Sequence, residues 1–453
     1  MTKQRLVLII AILASFVAFL DGSVINVALP QISNDLGGGL LTQQWVNDSY
    51  LITLGTLILA AGSLSDIFGR KRILVIGLVG FLVTSLLCAV SQTSEQLILS
   101  RGLQGVAGAL LVPSSLALII STFNGAEQSK AIGQWTAWTG IAFIVGPLVG
   151  GILVDVYSWR LVFAINVLPI VVALILASYL RLEEKPMHRT RLDVWGIVLG
   201  AIGLGGIVYA LIEQGNFGWS SPTIWGSFVV GVTMLILFVF NEKRSAQPML
   251  PLGLFRIRNF SVGNVATVLV YAALALQGFL LVIFLQQVAG FTATLAGLAL
   301  VPVTIIMFFL SSKFGALSGK YGPRWFMATG PFVAGIGTAY MSLVNVPTNY
   351  WVELLPGIIL FGLGLSITVA PLTSAILGSI KSSQAGIGSA VNNAAARIAG
   401  LLSIAMVGLF IGNSINLTGF RTGIILCACL LIAGGLVSAI GIQNNIVSTG
   451  VKE

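Results

Sequence analysis

The sequence predicts an all-α integral membrane protein that crosses the bilayer fourteen times. Of its 453 residues, 57% are hydrophobic and only 8% are charged, and the mean hydropathy is +1.00. A soluble globular domain has about 25% charged residues. The apolar residues form runs close to the ~20 residues that a transmembrane helix needs, and short polar segments separate them. Composition and run length together exclude a soluble globular protein.

The spans follow from the hydropathy of the chain taken in order. The first run lies behind Lys3 and Arg5 and continues to Pro30 without a small-residue cleavage site, which favours a retained helix over a removed signal peptide. The second and third runs meet at the charged segment 62–72, which predicts a hairpin at the membrane surface. The fourteen predicted spans are residues 6–30, 43–64, 73–91, 96–121, 131–154, 161–181, 194–212, 223–241, 260–287, 294–316, 325–344, 351–378, 386–411 and 421–441.

Basic residues orient these spans, because Lys and Arg accumulate in short cytoplasmic loops. With a cytoplasmic N-terminus, Arg160 and Arg421 lie in outer loops, Arg101 and Arg397 lie within spans, and the rest of the 23 Lys and Arg residues are cytoplasmic. We therefore predict a multi-pass protein of the cell inner (plasma) membrane with both termini cytoplasmic. Orientation also accounts for the net charge of +9, so no nucleic-acid partner is expected.

An internal repeat predicts a chain built from two halves. Residues 315–324 resemble residues 62–71, with Gly, Leu, Ser and Gly at equivalent positions and a base at the end, although Gly319 stands where the first copy has Asp66. The same shift aligns the start of span 1 with the start of span 9. Repeated bundles of this kind place the substrate path near the bilayer midplane. The predicted parts are a six-helix half at 1–192, an inserted two-helix hairpin and connector at 193–259, and a second six-helix half at 260–453.

Three stretches of the first half resemble a known family. The run from Gly62 to Arg72 looks like the loop between spans 2 and 3 of the major facilitator superfamily of secondary transporters. The end of span 1, from Asp21 to Pro30, is similar to the first-helix signature of the fourteen-helix drug:proton antiporters in that superfamily. Span 4 opens with Arg101 and continues to Gly108, which resembles a fourth-helix motif whose arginine is associated with proton coupling.

Spans 5, 6 and 13 extend the resemblance. In span 5, Ala142 replaces one expected glycine of a pattern that looks like the antiporter motif, which otherwise comprises Gly133, Gly146, Pro147, Gly150 and Gly151. The start of span 6 resembles a fourteen-helix subfamily pattern through Trp159, Arg160, Phe163, Asn166 and Pro169. The second half is matched mainly by its helix count and by Gly386, Gly388, Asn392 and Arg397. The resemblance implies the major facilitator fold, with two pseudo-symmetric six-helix bundles, and export rather than uptake.

Three charged residues within spans are candidates for proton coupling. A carboxylate inside a membrane costs at least ~2.5 kcal/mol on insertion scales, so it normally faces a cavity and carries function. Asp21 could exchange a proton for substrate, or could be structural, bonded to Asn26 or to a neighbouring helix. Arg101 keeps its charge, so we expect it to contact backbone carbonyls or Asp21, unless it only holds the helices together. Asp48 is the third candidate, with a structural role at the outer end of span 2 as the alternative.

Two further groups of residues are predicted to control conformation. The charged hairpin is expected to act as a latch for the outward-open state, with Asp66 at a helix N-terminus and the bases paired with cytoplasmic acids. Its residues are Gly62, Asp66, Gly69, Arg70 and Arg72. In span 5, Pro147 removes a backbone donor and the glycines admit close packing, which predicts a bent helix that seals the two halves together.

The polar residues available for a substrate include few acids in the second half of the chain. This composition favours a neutral, zwitterionic or monocationic amphiphile over a dication. The candidate cavity residues are Asn26, Tyr271, Gln277, Asn392, Asn393 and Arg397.

These observations favour a proton-coupled antiporter that exports small hydrophobic or amphiphilic compounds by alternating access. The alternative is a dedicated lipid or metabolite translocase on the same scaffold. The sequence shows no phosphate loop, catalytic-triad spacing or metal-ligand cluster, so it predicts no enzyme, no metal site and no cofactor, with a proton gradient as the energy source. The expected partners are a small hydrophobic substrate, protons and the lipid bilayer, and the protein is expected to act as a monomer.

Overall fold

The computed structural model describes residues 2–180, 192–245, 248–381, 384–412 and 415–444, and every regular element in these ranges is helical. Helices satisfy all backbone hydrogen bonds within one segment, which a chain rich in apolar runs requires in lipid. The helices up to residue 244 are α1 (Lys3–Leu36), α2 (Gly39–Phe68), α3 (Arg70–Val90), α4 (Ser94–Thr122), α5 (Gly125–Val156), α6 (Leu161–Ala164), α7 (Val167–Tyr179), α8 (Val194–Phe217) and α9 (Pro222–Arg244).

The remaining helices begin after a short 3₁₀ segment at Leu252–Arg256. They are α10 (Arg258–Ile283), α11 (Ala293–Tyr321), α12 (Arg324–Met341), α13 (Leu355–Gly378), α14 (Ala385–Ala405), α15 (Val407–Ile411) and α16 (Leu417–Gly441). A π-helical turn follows α10 at Phe284–Val288, and another precedes α13 at Tyr350–Leu354.

Thirteen helical segments of the described chain are long and apolar enough to cross a membrane. They coincide with thirteen of the predicted spans. The span predicted at 325–344 corresponds to α12, which is helical over 18 residues but is not among the thirteen. Arg324 at its start, and the glycines and Pro331 within it, lower its hydropathy.

Several predicted boundaries need correction. Helix α1 does not end at Pro30 but continues to Leu36 with the proline inside it. The single helix predicted at 161–181 is interrupted between α6 and α7, where Asn166 N–H bonds to the carbonyl of Phe163, three residues back. Span 13 is likewise divided between α14 and α15. Hydropathy does not reveal these points, because residues 31–36 are helical although mostly polar, and the runs on both sides of the two interruptions are apolar.

The chain forms two compact units. The first comprises Met1–Pro251, Gly278–Ala299 and Leu401–Phe420, and the second comprises Leu252–Gln277, Leu300–Gly400 and Arg421–Glu453. In the first unit, α1 packs against α4, α5 and α7, while α2 packs against α4 and α8. In the second, α12 packs against α13. The predicted division into sequence halves with an inserted hairpin stays a prediction.

Candidate functional site

A buried ion pair lies within the first unit. The Arg101 guanidinium on α4 donates from Nη1 to Asp21 Oδ2 on α1 at 2.6 Å, and both residues are fully shielded from solvent. Arg101 Nε also donates to the carbonyl oxygen of Val46 on α2 at 3.1 Å. Both kinds of partner that the sequence predicted for Arg101, a backbone carbonyl and Asp21, are therefore present. Asn26 is not the partner of Asp21.

Neutral side chains complete the surroundings of this pair. Asp21 Oδ1 accepts from Asn166 Nδ2 at 3.0 Å and from Gln104 Nε2 at 3.1 Å. Gln104 also accepts from Arg101 Nη1 at 2.7 Å, and the Arg101 guanidinium carbon lies 4.4 Å from the centroid of the Tyr50 ring. Asp21 thus accepts hydrogen bonds from the side chains of three residues, so both of its oxygens have partners although the site is buried.

A close approach between α4 and α2 brings these groups together. A Cβ atom at Gly105 would overlap the Thr53 hydroxyl and the Tyr50 carbonyl oxygen, so only glycine permits this spacing. The Thr53 hydroxyl bonds across the same contact to the Gly102 carbonyl at 2.7 Å. The glycines after Arg101 therefore determine how near that arginine lies to α2.

Asp48 differs from Asp21 in its surroundings. It lies ten residues into α2 and is fully buried. A structural role at the outer end of the span stays the alternative to proton coupling. Its Oδ1 accepts from the side chain of Asn47 at 3.0 Å, whereas Oδ2 has no hydrogen-bond partner among the described residues. No basic side chain in the described chain forms an ion pair with it.

The predicted hairpin latch forms the junction of α2 and α3. Gly62 lies in α2, and Gly69 joins the two helices with φ +94°, a left-handed conformation that favours glycine. Arg70 is half-buried and Arg72 is exposed, both in the first turn of α3. The backbone of Asp66 is helical, but its side chain lies outside the described atoms, so its predicted helix-capping role stays a prediction.

The residues of the predicted antiporter motif contact more than one helix. Gly146 and Gly150 pack against α1, where a Cβ atom would overlap Ser23 and Val24 respectively. A Cβ at Gly151 would lie 2.6 Å from Thr294 Cα and 2.7 Å from the Ala293 carbonyl at the start of α11. Across the same contact, a Cβ at Gly297 would overlap the backbone oxygen of Pro147. Gly133, by contrast, is exposed and has open space around it.

Polar contacts that sequence reasoning missed reinforce this region of the first unit. The Asp155 carboxylate, at the end of α5, accepts the backbone N–H groups of Ala293 at 3.0 Å and Thr294 at 2.7 Å. It therefore caps the N-terminus of α11, where the helix dipole favours a negative charge. Gln286 donates to the Val27 carbonyl, and Gln44 donates to the Ile404 carbonyl. No motif marks these residues, since their partners are backbone groups far away in sequence.

The predicted substrate residues are distributed over both units. Asn26 is half-buried in the first unit. In the second, Gln277 accepts from the Thr338 hydroxyl at 2.7 Å, and Asn392 donates to the Thr267 hydroxyl at 2.7 Å. Asn393 is exposed, whereas Tyr271 and Arg397 are half-buried. Gln277 and Asn392 therefore bond to their own unit, and their role in a substrate cavity stays a prediction.

Gln104 and Asn166 also belong to the ion-pair site, although the sequence did not predict either residue there. Gln104 lies three residues after Arg101, which places both on one face of a helix. That spacing could have predicted Gln104 as a neighbour of Arg101 in the site. Asn166 is 145 residues from Asp21 and lies at the interruption between α6 and α7, so no local pattern connects it with Asp21.

A fully buried acid and base between membrane-spanning helices favours a transport protein, because intramembrane charges commonly mark substrate and ion pathways. Residues 11–404 match the Major Facilitator Superfamily, and the chain belongs to that family. The protein is therefore a transporter and not an enzyme. No group of three or more His, Cys, Asp or Glu side chains suited to a metal occurs in the part of the chain that the structure describes.

Relatives with assigned names are resistance and export proteins. The chain is 33% identical to the methylenomycin A resistance protein of Bacillus subtilis (strain 168), covering 89% of this chain and 87% of that protein. It is 32% identical to the multidrug resistance protein Stp of Mycobacterium tuberculosis (strain CDC 1551 / Oshkosh), over 89% and 75% of the two chains. The fold resembles the crystal structure of peptide transporter POT in complex with sulfate, with a TM-score of 0.72 and 15% identity over 96% and 93% of the chains.

Proposed function

We propose that this protein exports small hydrophobic or amphiphilic compounds, including antibiotics, in exchange for protons. The relatives support export of drug-like molecules, since the similar chains are named for resistance to methylenomycin A and to multiple drugs. The observation that carries proton coupling is that three ionisable side chains on membrane helices, Asp21, Arg101 and Asp48, are fully buried. A protein that only moved an apolar solute down its gradient would have no need for such costly groups.

Proton exchange supplies enough energy for export. Each charge that crosses the membrane gains about 2.3 kcal/mol per 100 mV of potential. Asp21, Arg101 and Asp48 are the groups to which we assign coupling, because all three are fully buried. No bound cofactor is required for this chemistry.

We infer that the chain makes fourteen crossings, with α12 as the additional span. An even number of spans keeps the basic loops on one side, as the positive-inside rule requires. It also puts both termini on one side, which we take to be the cytoplasm. We further propose that the protein acts in the inner (plasma) membrane as a monomer. The chain then consists of two six-helix halves, with α8 and α9 as the inserted hairpin.

Alternating access requires contacts that form in one state only. We assign the hairpin residues Gly62, Asp66, Gly69, Arg70 and Arg72 to a latch on the cytoplasmic side. On the outer side, the glycines of α5 around Gly151 and the Asp155 cap on α11 are suited to a reversible seal, since close backbone packing and one capping carboxylate can separate without leaving a buried charge.

The substrate is proposed to contact amide and aromatic side chains rather than acids. Asn393 is exposed in the second unit and lies one residue after the hydrogen-bonded Asn392. Together with Asn26, Tyr271, Gln277 and Arg397, these residues suit a neutral, zwitterionic or monocationic amphiphile.

Resistance of cells that express the protein tests this function. We expect an increased tolerance of several chemically unrelated amphiphilic antibiotics, compared with cells that carry an empty vector. An uncoupler should abolish the accompanying efflux of ethidium. Unchanged tolerance across the panel, together with an altered lipid composition, would identify a lipid translocase instead. Efflux that persists after the proton gradient has collapsed would contradict proton coupling.

A further inference from the structure

We propose that Asp48 is the proton-binding site of the transport cycle, and that Asp21 is a positioning residue held by Arg101. The inference rests on the proposed proton-coupled export, and it assigns different tasks to two acids that the sequence does not distinguish. Its basis is the contrast between the hydrogen bonds of the two acids, together with the position of Asp48 on a face of α2 away from the one that contacts Arg101.

Asp21 is held by three side-chain donors, one of which is the Arg101 guanidinium. It accepts from Arg101, Gln104 and Asn166, at distances from 2.6 to 3.1 Å. A proton added to Asp21 would leave the Arg101 guanidinium buried without its counter-ion, which is strongly unfavourable. Asp21 is therefore suited to orienting Arg101 and joining α1 to α4, and poorly suited to cycling between charge states.

Asp48 has none of these donors. It is fully buried, its one bonded oxygen accepts from the adjacent Asn47, and its other oxygen has no partner in the described chain. An ionised carboxylate in this position would be neither paired nor solvated, whereas a neutral carboxyl is compatible with it. Among the described residues, no cation forms an ion pair with this buried acid.

Helix periodicity places Asp48 away from the ion pair. Residues spaced by three and four share one face of a helix, and Leu41, Trp45 and Ile52 of α2 have this spacing with Asp48. These three residues pack into an apolar cluster with α8 and with residues 401–409, which includes Val208, Ile212, Leu401 and Ala405. The face of α2 that contacts α4 carries Val46 and Tyr50, which contact Arg101, and Thr53, which bonds to the next residue of α4.

We call the contact of α2 with α8 and residues 401–409 the Asp48 seam. Titratable residues on α8 near the seam are Tyr209 and Glu213. Tyr209 packs its ring against Trp45, and Glu213 accepts from the Trp45 indole at 2.8 Å. Residues 401–409 contain no titratable side chain.

On the other sides of α2, two further ionisable residues have partners of their own. Helix α4 contributes Arg101, which is paired with Asp21 of α1. Helix α3 contributes Cys88, whose thiol lies 3.6 Å from Gln104 Oε1. None of these groups supplies Asp48 with a cation, so the seam favours a neutral carboxyl.

Opening of the seam would let water reach Asp48. Gln44, one turn before Asp48, donates to the carbonyls of Ile404 and Ala405, so separation of α2 from this segment breaks those bonds and uncovers the carboxyl. Asp48 could then lose its proton to water or gain one from it, and the seam could close again only over the neutral form. Proton binding and seam closure are thereby coupled, because the closed form binds the proton more strongly.

Infrared spectroscopy of the purified protein tests the assignment without requiring a substrate. We expect wild type to show a protonated-carboxyl C=O band that titrates with pH. The Asp48→Asn variant should lose this band, while Asp21→Asn and Glu213→Gln should retain it. Retention of the band in Asp48→Asn, with its loss in Asp21→Asn, would overturn the proposal.

Transport in proteoliposomes provides the second readout. Asp48→Asn should lose ethidium accumulation driven by a pH gradient but keep ethidium exchange in the absence of a gradient, and Asp48→Glu should restore accumulation. Exchange at the wild-type rate also shows that the variant is folded. Gradient-driven accumulation by Asp48→Asn would contradict the assignment of Asp48 as the proton-binding site. Wild type could show the titrating Asp48 band but no gradient-driven transport. That result would contradict the proposed proton-coupled export, while it would still support Asp48 as a site that binds a proton.

Discussion

At the scale of single residues, the buried pair of Asp21 and Arg101 is the most sensitive feature of the chain. Its two side chains are 1% and 0% exposed, so neither charge has water as an alternative partner. Removal of one member of a buried pair typically costs about 3–5 kcal/mol, because the other charge stays buried and uncompensated. We expect Arg101→Gln to lower the thermal denaturation midpoint of the detergent-purified protein strongly, as measured by intrinsic fluorescence.

Arg160 provides a matched control for that substitution. It lies 4.0 Å from Asp35, with side chains that are 38% and 39% exposed. Surface ion pairs contribute at most about 1 kcal/mol, so Arg160→Gln should change the midpoint little. Equal effects of the two substitutions would show that the Asp21 and Arg101 pair is not desolvated in the folded protein.

At the scale of helices, glycines determine how closely α5 approaches its neighbours. A Cβ at Gly151 would meet backbone atoms of Ala293 and Thr294 at 2.6 to 2.8 Å, and backbone cannot move aside as a side-chain end can. Overpacking of this kind typically costs 1–3 kcal/mol. We expect Gly151→Ala to lower thermal stability and to weaken the contact between α5 and α11.

Gly140, on the same helix, is the control for Gly151. A Cβ there would have nothing within 4 Å, and alanine has a higher helix propensity than glycine. Gly140→Ala should therefore leave stability unchanged or raise it slightly in the same assay. A loss of stability in Gly140→Ala as large as that in Gly151→Ala would mean that any substitution in α5 is destabilising. The close approach of Gly151 to α11 would then not be the cause of the effect.

At the scale of the whole molecule, α12 determines the topology of everything that follows it. If α12 crosses the membrane and the N-terminus is cytoplasmic, as we propose, the exposed Val346 lies outside and the exposed Lys320 lies inside. In a background without Cys88, Cys427 and Cys429, Val346→Cys should react with an impermeant maleimide in intact cells. Lys320→Cys should react only after permeabilisation. Labelling of both positions from the same side would show that α12 does not span.

Much of this architecture can be predicted from local patterns in the sequence. Thirteen predicted spans coincide with helices that are long and apolar enough to cross a membrane, because hydropathy over ~20 residues is a property of each segment alone. The membership of Asp21 and Arg101 in one site was also predictable, since a buried arginine requires a counter-charge and few acids lie within spans. The superfamily resemblance follows from contiguous motifs, such as the run from Gly62 to Arg72.

Distances between segments far apart in sequence were decided only by the tertiary structure. Asn166 reaches Asp21, and Asp155 caps α11, through contacts across more than 130 residues that no local pattern encodes. The same holds for Asp48. The sequence predicts that it lies within a membrane span. Its unpartnered oxygen and the apolar cluster beside it, however, depend on which helices pack against α2. Sequence fixes the chemical identity and helical face of each charged group, whereas packing determines whether its charge is balanced, because solvation and pairing are properties of the assembled bundle.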